Sequence, residues 1–171
     1  MYDLSATARQ LQSFCDRQGW RSCFIGGIAV QRWGEPRVTR DVDLTLLAGF
    51  GGEDPIIDAL LGAWPARIAD AREFARRHRV VLLGTLAGVG IDVSLGALPF
   101  EENVVSRATA FSFGPWPRNP GMLGRGSGGI LRLFASRPLD IADQLRPLAE
   151  IKDPAIHRTL ARLRRLAAPQ A

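Results

Sequence analysis

A chain of 171 residues is long enough for one well-buried domain with a small helical addition, and too short for two full domains. Its hydrophobic content of 46% and charged content of 23% are typical of a soluble globular protein. The longest apolar runs are far too short to span a membrane, and the N-terminus lacks the basic and apolar segments of a signal peptide. We therefore expect a cytoplasmic protein that has no membrane partner.

The net charge of +5 and the pI near 10.5 favour an anionic partner, such as a nucleotide, RNA or an acidic protein. Most of the basic residues are arginines, a bias that a GC-rich genome would produce as readily as selection for RNA binding. The two cysteines, Cys15 and Cys23, lie among apolar neighbours and match no zinc spacing. They are interpreted as small core residues.

Apolar periodicity and breaker residues predict an α/β fold, a small mixed β-sheet with helices on one side. A first helix over residues 3–18 precedes a short strand, Ser22–Ile25, which ends at the turn Gly26-Gly27. After short helical material over 28–33, the predicted strands are 38–47, 79–83 and 90–95, and the predicted helices are 55–64, with Asp54 as its cap, 68–78, 130–135, 139–148 and 154–166.

Residues 112–129 are rich in glycine and proline and show no period, so they are predicted to be irregular. This segment divides the chain into a core over residues 1–111 and a C-terminal helical region over 130–171.

Two aspartates, Asp41 and Asp43, alternate with apolar residues in the strand over 38–47. Because successive side chains of a strand point to opposite faces, both carboxylates are expected on one face. Asp92 lies in a later strand of similar pattern and supplies a third carboxylate. Carboxylate oxygens are the ligands that Mg²⁺ prefers, and a pair of such ions can serve phosphoryl transfer.

Upstream, the pair Gly26-Gly27 at a strand-to-helix turn would let backbone N–H groups approach a phosphate closely. Singly, each feature has an ordinary structural explanation, since two aspartates in a strand usually face solvent and a glycine pair is usually a turn. Their order along the chain is what favours a metal and nucleotide site: glycine turn, Pro-Arg-x-Thr approach, Asp-x-Asp strand, then an Ile-Asp-Val strand.

The motifs that carry this order are FIGGIAV at residues 24–30, WGEPRVTRDVDL at 33–44, VGIDVSLGALPFE at 89–101 and LFASRPLDIAD at 133–143. They resemble the polymerase-beta-like nucleotidyltransferases, and among these the minimal bacterial proteins that include the AbiEii-type abortive-infection toxins. The resemblance covers roughly residues 20–105 and 130–165, and its most specific part runs from the glycine turn to the Asp-x-Asp strand.

The resemblance implies that a nucleoside monophosphate moves from an NTP to a hydroxyl acceptor and that pyrophosphate leaves. It implies that Asp41, Asp43 and Asp92 are catalytic and bind Mg²⁺ or Mn²⁺, with Asp92 also orienting the acceptor as its base. The residues that it assigns to nucleotide binding are Gly26, Gly27, Arg37, Arg40 and Arg132. A solvated arginine is the ordinary explanation for at least one of Arg37 and Arg40.

The chain departs from the family pattern at residues 126–132, which read GSGGILR where members usually carry a Glu-Asp-Leu helix start followed by a lysine. Arg132 stands in place of that lysine and cannot act as an acid or base. One choice of synonymous codons for Met122–Gly129 encodes Cys-Ser-Ala-Glu-Asp-Leu-Val one base later. We therefore hypothesise a local shift of reading frame within 112–129, with reduced or absent activity as its consequence.

Three functional hypotheses follow from the sequence. The first is a metal-dependent nucleotidyltransferase whose acceptor is tRNA or another RNA and which has a cognate antitoxin, as the resemblance to the toxins implies. The basic segments 72–79 and 158–165 suit RNA, and equally suit a solvated helix face. The second is a catalytically impaired homologue that binds nucleotide or a partner protein, and the third is a nucleotidyltransferase that modifies a small-molecule drug.

Overall fold

The computed structural model describes residues 4–33, 39–113 and 129–133. The chain divides into two units, Met1–Ala135 and Ser136–Ala171, and every described residue belongs to the first. The elements are α1 (Leu4–Arg17), β1 (Ser22–Phe24), α2 (Gly26–Val30), a 3₁₀ turn (Gln31–Trp33), β2 (Asp41–Leu47), α3 (Glu53–Ala63), α4 (Ala71–His78), β3 (Val80–Gly84), β4 (Gly90–Gly96), α5 (Pro99–Ser106), β5 (Thr109–Phe113) and β6 (Gly129–Leu133).

The strands form one mixed sheet in the order β3-β4-β2-β1-β6-β5. The neighbours β2 and β4 are parallel, as is the short pairing of β1 with β6, and the other neighbours are antiparallel. The predicted class, a mixed α/β sheet with helices, is therefore confirmed. None of the helices in the described part of the chain has the length and apolar character needed to cross a membrane.

One face of the sheet is apolar and carries the main core. Residues in register on neighbouring strands share a face, and Phe24, Leu44 and Val93 form one such buried row across β1, β2 and β4. Apolar side chains of α1, α3 and α4 join these strand residues in a single buried cluster. The helices form because their apolar residues recur at intervals of three or four, as in Leu4, Ala8, Leu11 and Cys15 of α1.

The opposite face of the sheet carries Asp41, Asp43 and Thr45, which alternate with the buried apolar residues of β2. Helix α5 contacts this face at one end, where the Cys23 thiol lies 4.0 Å from the carbonyl oxygen of Val104. Cys23 is opposite Thr45 in the register of β1 and β2, so both lie on the aspartate face. Burial raises the pKa of the Cys23 thiol to about 12, as expected for the small core residue that the sequence predicted.

Most elements of the first hundred residues agree with the prediction within a few residues. The helix predicted over residues 130–135 is wrong where the structure describes it, because 129–133 form β6 and pair with β5 and β1. A short apolar run does not by itself distinguish a buried strand from a helix. The sheet therefore extends beyond the core predicted over 1–111, while the predicted helices at 139–148 and 154–166 lie outside the described residues.

Two further differences concern helix α3 and the segment after β4. The sequence suggested Asp54 as the cap of α3, whereas the helix begins at Glu53 with Gly52 before it and no side-chain cap. Helix α5 and strand β5 were not predicted. In α5, Pro99 occupies the first turn and Glu101 folds back to accept hydrogen bonds from the backbone N–H groups of Ala97 and Leu98, at 2.8 and 2.9 Å.

The alternation of burial along β6 gives a test of the strand assignment. Leu131 and Leu133 are 2% and 0% exposed, whereas Ile130 is 61% exposed. We expect Leu133→Ala to lower the free energy of unfolding by about 2–5 kcal/mol, and Ile130→Ala to change it by less than about 0.5 kcal/mol. Urea unfolding of the two variants measures both. In a helix, residues 130 and 133 would share a face, so equal losses at both positions would contradict the strand.

Candidate active site

The three predicted aspartates lie on one face of two neighbouring parallel strands. Asp43 of β2 is directly opposite Asp92 of β4 in the register, and Asp41 is opposite Gly90. Neighbouring strands lie about 4.8 Å apart, so the side chains of Asp43 and Asp92 are attached at adjacent positions on the sheet. All three side chains are half-buried. The structure thus places on one face of two neighbouring strands the residues that the sequence grouped by their order.

Gly26 and Gly27 shape the floor next to these carboxylates. Gly26 has a φ of +60°, and a Cβ at this position would overlap the Asp43 carboxylate, with its Cγ only 2.7 Å away. A Cβ at Gly27 would lie 2.5 Å from the Cβ of Thr39. The glycine pair therefore lets the start of α2 pack directly on Asp43 and on the segment that leads into β2.

Thr39 fixes the approach to β2. Its hydroxyl donates a hydrogen bond of 3.1 Å to the backbone carbonyl of Asp41, and its side chain packs on Gly27. On the other side, the backbone N–H of Ile25 donates to the carbonyl of Asp43 at 3.0 Å. The backbone around Asp41 and Asp43 is consequently held from both flanks.

Arg67 joins this group, although no sequence motif singles it out. Its guanidinium forms an ion pair with the Asp92 carboxylate, and its Nη1 lies 3.7 Å from Oδ1 of Asp41. The arginine lies in the segment between α3 and α4, about 25 residues from both aspartates along the chain, so only the folded sheet brings them together. A lone arginine after a proline carries no sequence signal for such a role.

The electrostatics of Asp92 reflect its surroundings. Burial raises the pKa of its carboxyl above the usual value, the charge of Arg67 opposes this rise, and the negative charge of Asp41 adds to it. A carboxylate whose pKa is raised holds a proton more readily than an exposed aspartate does. This property suits a group that accepts a proton during a reaction.

The donor set suits a hard divalent cation, because it consists of three carboxylates on one face. As the side chains stand, the described ranges 4–33, 39–113 and 129–133 contain no gathered group of three or more His, Cys, Asp or Glu that could hold a metal ion. Two of the three carboxylates, Asp41 and Asp92, are turned to the Arg67 guanidinium instead.

The arginines predicted to bind nucleotide are placed differently from one another. Arg40 is exposed immediately before Asp41, beside the site. Arg132 forms an ion pair with Asp16 of α1, and its backbone N–H donates to the side chain of Gln12 at 2.8 Å. Arg37 lies outside the described residues. Of the two arginines that the structure describes, Arg40 is the one next to the aspartates in the chain.

The basic segment of α4 is paired with acidic residues of α3. Arg76 makes two hydrogen bonds to Asp54, at 2.7 and 2.6 Å, while Arg72 pairs with Asp58. Arg79 follows α4 in a left-handed conformation and pairs with Glu53, the first residue of α3. Much of the positive charge that could have marked an RNA-binding face is therefore balanced within the protein.

An open groove lies away from the aspartates, between α1 and the end of α3. Its lining includes Arg9, Arg17, Phe14 and Trp64, and none of the predicted site residues. Phe14 stacks edge-on against Trp64 with ring centroids 4.8 Å apart. The groove and the three aspartates thus lie in different places, because the aspartates are on the other face of the sheet.

The chain matches no protein-family model, and no curated protein matches it. It is similar to the crystal structure of an antigenic nucleotidyltransferase-like protein from Paracoccidioides brasiliensis, with 17% identity, a TM-score of 0.46, and coverage of 98% of this chain and 78% of the other. It is also similar to the solution structure of the antibiotic-resistance factor ANT(2'')-Ia, with 18% identity, a TM-score of 0.40, and coverage of 91% and 78%. Both proteins are distant from this chain in sequence and in structure.

The contact of Gly26 with Asp43 predicts a specific loss of stability. Gly26→Ala adds a methyl group against the carboxylate and places an alanine at positive φ, so we expect a loss of about 2–5 kcal/mol in the free energy of unfolding. The control Gly19→Ala has a similar φ of +70° but open space around it, and should lose only about 1–2 kcal/mol. Urea unfolding measures both. Combining Gly26→Ala with Asp43→Ala should recover part of the difference, and no recovery would argue against the contact.

The ion pair of Arg76 with Asp54 predicts a dependence of stability on pH. Hydrogen bonding to Arg76 lowers the pKa of Asp54 in the folded protein. A lowered pKa stabilises the fold above the unfolded-state value, about 3.9, and this contribution disappears as the pH falls through the folded-state pKa. Asp54→Asn should therefore reduce stability at pH 7 and lose that effect in acid. Urea unfolding of wild type, Asp54→Asn, Arg76→Gln and the double variant at several pH values tests it, and a coupling independent of pH would contradict it.

Proposed function

We propose that this protein is a metal-dependent nucleotidyltransferase, which moves a nucleoside monophosphate from an NTP to a hydroxyl acceptor. The observation that supports the proposal most is the register of β2 and β4, which sets Asp43 beside Asp92 with Asp41 on the same face. Three half-buried carboxylates on one side of a sheet repel each other, an arrangement that gains stability from a bound cation.

In this proposal Asp41, Asp43 and Asp92 bind Mg²⁺ or Mn²⁺. The cations, when bound, supply positive charge that stabilises the oxygens of the reacting phosphate. Gly26 allows the start of α2 to pack on Asp43, so the position of this carboxylate is set by backbone rather than by a mobile side chain. Thr39 and Ile25 hold the flanking backbone through their hydrogen bonds.

The transfer itself forms one bond and breaks one. The acceptor oxygen bonds to the α-phosphorus of the NTP, the bond from that phosphorus to the bridging oxygen breaks, and pyrophosphate carries away the electron pair. The acceptor proton passes to the Asp92 carboxylate, the base that the resemblance assigns. In-line geometry then places the acceptor and the leaving pyrophosphate on opposite sides of the α-phosphorus.

The nucleotide would lie over the glycine turn and beside the exposed arginine. We assign Gly26, Gly27, Arg37 and Arg40 to the triphosphate, since close backbone approach and guanidinium groups both suit phosphate oxygens. Arg132 is included from the sequence, and its ion pair with Asp16 would have to open for this role.

The acceptor is proposed to be RNA or a smaller hydroxyl compound, and a toxin-like role with a cognate antitoxin remains part of the proposal. The neutralised face of α4 offers RNA less positive charge than its arginine content suggests. The second basic segment, 158–165, lies outside the described residues.

A second candidate is a homologue that binds nucleotide without transferring it. The ion pairs of Arg67 with Asp41 and Asp92 favour it, because in this arrangement two of the three carboxylates are already neutralised. The two candidates differ in whether the nucleoside monophosphate is ever transferred from the NTP to an acceptor.

The activity is tested with each of the four α-³²P-labelled NTPs, Mg²⁺ or Mn²⁺, and either total RNA or a mixture of small hydroxyl compounds. We expect label to move to an acceptor with one NTP, and Asp41→Asn or Asp92→Asn to slow the transfer by about 10²–10³-fold, since several kcal/mol of charge stabilisation is lost. The matched control is Asp58→Asn, an exposed aspartate on α3 that should leave the rate unchanged. Nucleotide binding without transfer would favour the second candidate.

A further inference from the structure

Arg67 is held in place by the sheet rather than by a free loop. The backbone N–H of Arg67 donates to the carbonyl of Leu82 at 3.0 Å, and the N–H of Gly84 donates to the carbonyl of Pro65 at 2.9 Å. Together with the isolated antiparallel bridge of Ala66 to Leu83, these bonds attach the segment 65–67 to the outer edge of β3. The backbone of Arg67 therefore lies opposite Leu82, whose register partner on β4 is Asp92.

The side chain of Arg67 crosses the sheet over two glycines, and one of them leaves room for its guanidinium. Gly84 and Gly90 are register partners on β3 and β4. A Cβ at Gly84 would lie 3.4 Å from Cγ of Arg67, and a Cβ at Gly90 would lie 2.9 Å from its Nη1. The bare backbone at Gly90 leaves the space that the guanidinium occupies beside Asp41, whereas a Cβ at Gly84 would make only an ordinary contact with the arginine stem.

The arrangement places a cation among the carboxylates that the proposed function assigns to metal binding. The Arg67 and Asp92 side chains are 34% and 33% exposed, so the pair is shielded from water more than the surface pair of Arg72 with Asp58, at 45% and 50%. A divalent cation on the same carboxylates would lie close to the guanidinium, and like charges at such distances repel strongly.

We infer that Arg67 is a nucleotide-binding residue with two positions: it neutralises Asp41 and Asp92 in the empty site, and binds the triphosphate once divalent cations hold those carboxylates. The inference rests on the proposed function, because it takes these carboxylates as metal ligands. An arginine suits both positions, since the planar guanidinium makes paired hydrogen bonds with carboxylates and with phosphates alike. Its anchored backbone keeps the guanidinium next to the site in either position.

The two positions give opposite effects when the arginine is removed. Mn²⁺ alone competes with the guanidinium, so Arg67→Ala should bind Mn²⁺ about three- to tenfold more tightly than wild type. The triphosphate loses a ligand, so an α,β-methylene NTP with saturating Mn²⁺ should bind about ten- to a hundredfold more weakly. If Arg67 served the fold alone, its loss would weaken the binding of both ligands or of neither.

The experiment titrates the full-length protein with Mn²⁺, following free Mn²⁺ by electron paramagnetic resonance, and then with each of the four α,β-methylene NTPs by calorimetry. Arg67→Gln is measured beside Arg67→Ala, because it keeps most of the side-chain volume and supports the fold if the alanine variant does not. Arg72→Ala is the matched control, since it removes the same charge and an ion pair of the same type. It should change neither affinity.

The inference is supported if the Arg67 variants bind Mn²⁺ more tightly and nucleotide more weakly than wild type, while Arg72→Ala changes neither affinity. If Mn²⁺ binding depends on Asp41 and Asp92 but is unchanged or weakened by loss of Arg67, the inference is overturned and the proposed metal site stands. If Mn²⁺ binds neither wild type nor any variant, the metal site and the inference both fall. Nucleotide binding that is unchanged by loss of Arg67 also overturns the inference.

Discussion

The parallel register of β2 and β4 is the constraint on which the site depends. It sets Asp43 and Asp92 side by side in the interior half of a sheet, with Asp41 two residues away on the same face. Like charges in such a place cost free energy unless a cation compensates them. The neighbourhood is built for that compensation: Gly26 and Gly90 leave space around the carboxylates, and Arg67 reaches them across the sheet. The apolar residues on the other face of the same strands keep this register, because a shift by one residue would bury the aspartates in the core.

Sequence reasoning reached the carboxylates because strand periodicity is a local property. The alternation of Asp41 and Asp43 with apolar residues can be read within seven positions, and the structure shows the same alternation of burial in β2. The grouping of Asp92 with Asp43 is less local, since it depends on the order of the motifs along the chain and on the family resemblance. Arg67 could not be found in this way, since its contacts depend on the attachment of residues 65–67 to the edge of β3 and on Gly90, which lies beside Arg67 only after folding. The error at 129–133 has the same origin: five residues are too few to separate the periods of a helix and a strand, and the pairing with β1 and β5 decides.

Composition alone overstated how much positive charge the protein presents. The arginines of α4 form pairs with acidic residues of α3, and Arg132 pairs with Asp16 of α1. Arg79 goes further: besides Glu53 it donates to the carbonyls of Leu95 and Gly49, both at 2.9 Å, and so ties the end of α4 to β4 and to the loop after β2. Many of these arginines thus connect elements within the fold, and a net charge of +5 describes the chain better than it describes any one surface.

The position of β6 between β1 and β5 has a consequence for the nascent chain. Residues 129–133 lie between β1 and β5, and β1 ends at residue 24, so more than a hundred residues separate two neighbouring strands. Such long-range pairing carries a high loop-closure cost and slows the completion of a sheet. During synthesis the outer edge of β1 stays without its partner until residue 133 has left the ribosome, and an open strand edge invites pairing with other chains. Among the described strands β6 is the last to be made, so the sheet that carries the carboxylates is completed only after the segments bearing them have been synthesised.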